Sequence, residues 1–219
     1  MRRIIVVHGI HTDDSEGWMD VVARGFKESG WDARVWTYGY AYAMLTRWQN
    51  PSRSRALASL VRAGDVVLGH SNGGCLAWLA AKLGAPLGGA ILVNPALDSD
   101  RAMAPHVPWV NLYPNKYDEA VKIAKLFPAH PWGAQGRDGL TVPDARYMTR
   151  WTNEPSPLAR PVDGHSAVWK PWAIYGWVRQ MVKDANDRLK ANQGGAGRAL
   201  PRFRIILHLG KNQDLQDTY

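Results

Sequence analysis

Apolar positions fall along this chain in two alternating rhythms. Ile4–His8 is a short β-branched run closed by Gly9, after which Trp18, Val21, Val22, Gly25 and Phe26 recur at the spacing of one helix face. Gly30 stops that helix and Ala33–Tyr38 reads as a second strand. Leu57, Leu60, Val61 and Gly64 mark a second helix, and Asp65–Gly69 is a continuous apolar strand. Leu76, Leu79, Ala80 and Leu83 give a third helical face. Gly89–Asn94 and Trp109–Tyr113 read as two further strands. Ala120, Ile123, Ala124 and Phe127 predict a fourth helix ended by Pro128, and Trp172, Tyr175, Val178, Val182, Ala185 and Leu189 a long final one.

Strands that are apolar on both faces and separated by helices predict a mostly parallel sheet with helices on each side, an α/β architecture. Pro128–Gly164 is the least regular span. It is rich in Pro, Gly and Trp and holds one candidate strand, Arg146–Thr152. A connection of that length is expected to wrap the surface and border a site. Beyond Asn192, the Gln-Gly-Gly-Ala-Gly-Arg run reads as a joint leading to Phe203–Leu209, an apolar candidate edge strand or partner-binding tail. The expected division is a domain over 1–191 and a linker with a tail over 192–219.

Composition narrows the classes. The 219 residues are 46% apolar, too apolar for a disordered chain, and their number suits one domain. The net charge of +8 favours acidic partners, yet no run of five or six like charges occurs. The single cysteine, Cys75, rules out an internal disulfide framework and a four-cysteine zinc site. The apolar run after Met1-Arg2-Arg3 is too short for a signal-peptide core, and no stretch could span a bilayer. A soluble protein of the cytoplasm is the expectation.

Chemistry enters at Gly69-His70-Ser71-Asn72-Gly73-Gly74, where a strand ends and a helix begins. This is the G-x-S-x-G nucleophile elbow in its required context. The turn forces the serine into strained geometry with its hydroxyl above the sheet, and glycines flank it where a β-carbon would collide. The helix N-terminus favours negative charge developing there. A Gly-rich turn whose serine only caps the helix is the plainer alternative.

With His8-Gly9-Ile10 after the first strand, this elbow resembles the α/β-hydrolase family, over about residues 3–190. The resemblance implies an oxyanion hole built from the Ile10 and Asn72 backbone N–H groups, with the His8 ring bracing its loop. The family order of serine, acid and histidine points to His165, in Asp163-Gly164-His165-Ser166 before the last helix. His130 is the alternative base, while His208 sits in the tail and His106 precedes the strand expected to carry the acid. For the acid, the resemblance implies Asp118, in the loop after Trp109–Tyr113, which could equally serve a helix N-terminus. Asp98, Asp100 and Asp163 are the other candidates. The short span from Asn94 to Trp109 leaves no room for an inserted lid, and the chain starts directly at the first central strand. Together these imply a minimal, capless member, similar to small intracellular serine hydrolases and lipase-like proteins, with a sheet of about six strands.

Other features change the picture less. His8 and His11 with Asp13 and Asp14 lack a third ligand at a diagnostic spacing for a metal, and no organic cofactor is implied either. Cys75 reads as a packing residue. Trp132, Trp151, Trp169 and Trp172 suit either a core or an aromatic wall beside His165. Arg47, Arg53, Arg55 and Arg62 fall in a stretch without acids, which reads first as a solvated helix face and second as an anion-binding patch. No sequence-specific nucleic-acid motif is present.

The resulting expectation is a serine hydrolase that cleaves carboxylic esters through an acyl-enzyme, with Ser71 as nucleophile, His165 as base and Asp118 as its orienting acid. Thioesterase or amidase chemistry would use the same groups. A non-catalytic binding or structural protein on a hydrolase scaffold, attached through the tail to a partner or second subunit, is the rival class. A basic protein coating an anionic polymer is a third.

Overall fold

The computed structural model describes residues 2–10, 17–39, 46–124, 132–153 and 164–194. In chain order they form β1 (Arg2–Val7), α1 (Trp18–Glu28), β2 (Trp31–Trp36), α2 (Thr46–Leu60), β3 (Val66–His70), α3 (Asn72–Lys82), β4 (Gly89–Val93) and β5 (Val110–Tyr113). Then come α4 (Glu119–Ala124), α5 (Gln135–Asp138), β6 (Tyr147–Thr149), a 3-10 helix (Gly164–Trp169) and α6 (Ile174–Gly194). The strands make one sheet in the order β2-β1-β3-β4-β5-β6, and every pairing is parallel.

Alternation along the strands splits the core into two layers. Ile4, Val6, Val66, Leu68, Ile91 and Val93 face α1 and α6, where Val22, Phe26, Val178 and Met181 meet them. Ile5, Val7, Val67, Ala90, Leu92, Val110 and Leu112 face the other side, against Leu57 of α2 and Leu76, Ala77 and Ala80 of α3. Burial of both strand faces is what the unbroken apolar runs require. A polar tie closes the α6 side: buried Asp184 accepts from the Tyr113 hydroxyl at 2.8 Å and from Arg150 Nε at 2.9 Å.

Because α1 covers one face and α3 the other, the adjacent strands β1 and β3 send their chains apart at their carboxyl ends. Such a switch point opens a crevice at the sheet edge, where open parallel sheets bind ligands. No separate lid domain and no helix long and apolar enough to cross a membrane is found among the described residues.

Among the elements that differ from the periodicity reading, α5 falls in the span read as irregular, and two others bear on the site. The second helix starts at Thr46, well before Leu57, because its first half carries few apolar residues and includes Pro51. His165 lies in a 3-10 helix that no periodicity predicts, a segment too short for a 3.6-residue pattern to register. Residues 195–219, including Phe203–Leu209, and the histidines and acids at His11, Asp13, Asp14, His130, Asp163 and His208 lie outside the described residues.

Candidate active site

Ser71 alone separates β3 from α3, and its backbone is strained, with φ 54° and ψ −121°. A non-glycine residue there costs on the order of 1–3 kcal/mol and persists only where its surroundings over-determine it. Three hydrogen bonds do so: the Ser71 N–H donates to the Val93 carbonyl at 3.1 Å, and its own carbonyl accepts from the N–H groups of Gly74 and Ala96 at 3.0 Å each. Glycine at 73 is a steric necessity, since a β-carbon there would lie 2.5 Å from the Val7 carbonyl oxygen and 2.6 Å from that of His8. The same close approach brings the His8-Gly9-Ile10 segment alongside the serine.

Asp118 and His165 meet. His165 Nδ1 stands 2.6 Å from Asp118 Oδ2, the carboxylate is 0% exposed and the imidazole about 15%. Both carboxylate oxygens are used, because Oδ1 accepts the Val121 N–H at 3.2 Å and so caps α4. One side chain therefore both contacts the imidazole and caps α4. With a carboxylate at Nδ1, the other ring nitrogen of the neutral imidazole is an acceptor.

The peptide carrying His165 is clamped from three sides. Its carbonyl accepts from Asn94 Nδ2 at 2.6 Å and lies 3.1 Å from His70 Nε2, while Asn115 Nδ2 donates to the Gly164 carbonyl at 2.8 Å. A carbonyl can only accept, so His70 carries its proton on Nε2. Its ring packs against His165 at 4.8 Å between centroids and edge-on against Trp18 and Trp169. Burial, aided by the neighbouring His165, holds the His70 pKa well below the ordinary imidazole value. His70, the last residue of β3 before Ser71, thereby joins the His165 segment to the serine turn, although no hydrogen bond joins Ser71 Oγ to His165 among the described residues.

The remaining candidates separate cleanly. Asp98 pairs with Arg101 at 2.9 Å and Asp100 lies at the surface, neither on His165. His106 Nε2 meets the Ala85 carbonyl at 3.0 Å, remote from the serine. Cys75 is fully buried and its thiol is pushed up to about 12, which keeps it protonated. Of the four tryptophans considered for an aromatic wall, Trp132 and Trp169 are buried beside Asn72 and His70, whereas Trp151 and Trp172 are exposed. Arg53 lies over the Tyr38 ring and Arg55 faces solvent, while the Arg47 side chain is outside the described residues. Among the described residues no group of three His, Cys, Asp or Glu side chains could hold a metal ion.

Sequence reading missed the side chains that hold these parts in place: Tyr38, Asn50, Asn94 and Asn115. Asn94 and Asn115 carry a faint signal, polar residues just past apolar strands. Nothing local marks Tyr38 or Asn50.

No protein-family model and no curated protein matches the chain. Solved structures do. A putative hydrolase of the alpha/beta superfamily from Xanthomonas campestris is 18% identical over 77% of this chain and 96% of its own, with a TM-score of 0.44. Brefeldin A esterase, a bacterial homologue of human hormone-sensitive lipase, is 16% identical over 87% and 70%, also at 0.44. A pyrethroid hydrolase from Sphingobium faniae is 18% identical over 48% of this chain and 47% of its own, at 0.32. The chain thus spans less than half the length of that enzyme. The likeness to each is partial; the chain's own architecture is the all-parallel sheet in the order β2-β1-β3-β4-β5-β6 with helices on both faces.

Proposed function

We propose that this chain, an α/β-hydrolase by fold, is a serine hydrolase acting on carboxylic esters. The observation that carries the reading is the 2.6 Å contact between His165 Nδ1 and the wholly buried Asp118, at the same sheet edge as the strained Ser71 turn. A buried carboxylate on an imidazole fixes the tautomer and stabilises the imidazolium formed in catalysis.

In this mechanism Ser71 Oγ attacks the ester carbonyl as His165 Nε2 takes its proton. Asp118 holds the Nδ1–H throughout. The developing oxyanion is met by the backbone N–H groups of Ile10 and Asn72, the latter at the N-terminus of α3, each such donor worth about 10²–10³ in rate. His165 returns the proton to the leaving alcohol, and water then hydrolyses the acyl-serine by the same path in reverse. Thioesters and amides would follow the same route with different leaving groups.

Reaction with a fluorophosphonate probe tests this. The intact protein is expected to be labelled at Ser71, and Ser71→Ala to be unlabelled and to lose ester hydrolysis by several orders of magnitude while keeping its fold. A native, folded protein that resists the probe and hydrolyses no p-nitrophenyl ester from acetate to decanoate would overturn the reading in favour of a binding scaffold.

A further inference from the structure

Beneath the proposed oxyanion site lies a buried polar network that the mechanism above does not use. The Tyr38 hydroxyl sits 2.8 Å from the Gly9 carbonyl oxygen and 3.0 Å from that of His8, its one hydrogen shared between them. His8 Nδ1 also donates to the Gly9 carbonyl, at 2.6 Å, and His8 Nε2 in turn accepts the Tyr38 backbone N–H at 3.3 Å. The two rings stack at 4.0 Å, and the Arg53 guanidinium lies 4.7 Å over the Tyr38 ring. Burial raises the Tyr38 pKa, so the hydroxyl stays a donor at any working pH.

The same hydroxyl accepts from Asn72 Nδ2 at 3.3 Å. That amide is fully buried and uses all its capacity. It exchanges two hydrogen bonds with Asn50, at 2.8 and 3.1 Å, and accepts from Trp132 Nε1 at 3.1 Å.

Backbone geometry gives this a consequence. Successive carbonyls of an extended strand point to opposite sides, yet those of His8 and Gly9 converge on one hydroxyl. In a planar trans peptide the N–H points away from the carbonyl. Holding both carbonyls on Tyr38 therefore turns the N–H groups of Gly9 and Ile10 together to the opposite side, as in backbone concavities that bind anions. Gly9 lies against the serine, for a β-carbon built on it would be 2.9 Å from Ser71 Cβ and 3.3 Å from Oγ.

We infer that Tyr38 and Asn50, acting through Asn72, are positioning residues that set the two halves of the oxyanion site against each other: the Gly9–Ile10 peptide on one side and the first residue of α3 on the other. The inference rests on the hydrolase reading and names what aligns that site. Neither side chain is a reacting group or an oxyanion donor in the proposed mechanism. Tyr38→Phe keeps the ring stacked on His8 and removes only the hydroxyl.

The test compares wild type, Tyr38→Phe and Asn50→Ala on p-nitrophenyl butyrate and on a trifluoromethyl ketone, whose adduct with serine carries the oxyanion. For Tyr38→Phe, kcat is expected to fall about tenfold or more with KM within about twofold, and the affinity for the ketone to fall by the same factor as kcat. Asn50→Ala should move both in the same direction by less. Wild-type labelling at Ser71 by the fluorophosphonate separates the two claims. Without it, the hydrolase reading falls and takes this one with it. If wild type is labelled and both variants match its kcat and ketone affinity, the positioning role alone is overturned. Variants that lose kcat in proportion to a loss of folded protein, with ketone affinity per folded molecule unchanged, overturn it as well.

Discussion

The two oxygens of Asp118 have different partners, Val121 N–H on Oδ1 and His165 Nδ1 on Oδ2. That division predicts how the residue responds to change. Asp118→Asn keeps the shape and an oxygen able to cap α4, but presents an amide where the imidazole needs an acceptor. Turnover should drop by about 10⁴, as it does when the equivalent change inverts the tautomer in a serine protease, while the unfolding midpoint moves little. Steady-state kinetics beside a thermal melt checks both parts. Unchanged turnover would remove Asp118 from the mechanism and leave it a helix cap. From sequence, three other aspartates competed for this position, and the contact with His165, together with burial, separates two of them from it. Asp98 is engaged by Arg101 and part-exposed, whereas Asp118 is wholly buried against His165.

At the scale of elements, the turn from β3 to α3 can exist only if the chain crosses itself closely. Gly73 sits on the carbonyls of Val7 and His8, backbone atoms that cannot swing aside. Gly73→Ala should therefore destabilise the protein by about 1–3 kcal/mol, the usual cost of overpacking, read as a lower denaturation midpoint in urea. A midpoint equal to wild type would mean that β1 and α3 are not held this tightly. This turn was legible in advance because close approach demands glycine and a strained serine demands a G-x-S-x-G spelling. The alternating elements were legible for a similar reason: a strand buried on both faces has to be written in apolar residues, as Val66–Leu68 and Ala90–Val93 are. What failed to register was structure without a repeat. The first half of α2 faces partly to solvent and turns Asn50 inward to another amide, so no apolar stripe announces it. The 3-10 helix holding His165 is set by contacts with Asn94, Asn115 and His70, each from a different strand end. Such long-range polar contacts leave no local periodicity.

Across the whole molecule, burial of His70 ties the site to stability. In the fold His70 is surrounded by Trp18, Trp169 and His165, with His8 also disfavouring its charge, and its pKa lies well below that of an exposed imidazole. In the unfolded chain it would titrate near the usual value of about 6.5. As pH falls through that value the unfolded state takes up a proton that the folded state refuses, so stability present at neutral pH is lost on acidification, down to the folded pKa. One proton gives a slope of about 1.4 kcal/mol per pH unit once the unfolded histidine is fully protonated. Asp144, held below the ordinary carboxylate range mainly by its hydrogen bond to Arg146, has the same sign but acts only as pH falls through the lower acid range. The window between about pH 6 and pH 5 therefore belongs to histidine. His70→Gln offers an amide N–H toward the His165 carbonyl and cannot titrate there. Urea denaturation from pH 7 to pH 5 should show wild-type stability falling toward acid and the His70→Gln slope shallower by up to that one-proton value. Parallel slopes in the two proteins would mean that His70 accepts a proton in the folded state. The site would then place a second cation beside the His165 imidazolium that the proposed mechanism forms, an arrangement that a neutral, desolvated His70 avoids.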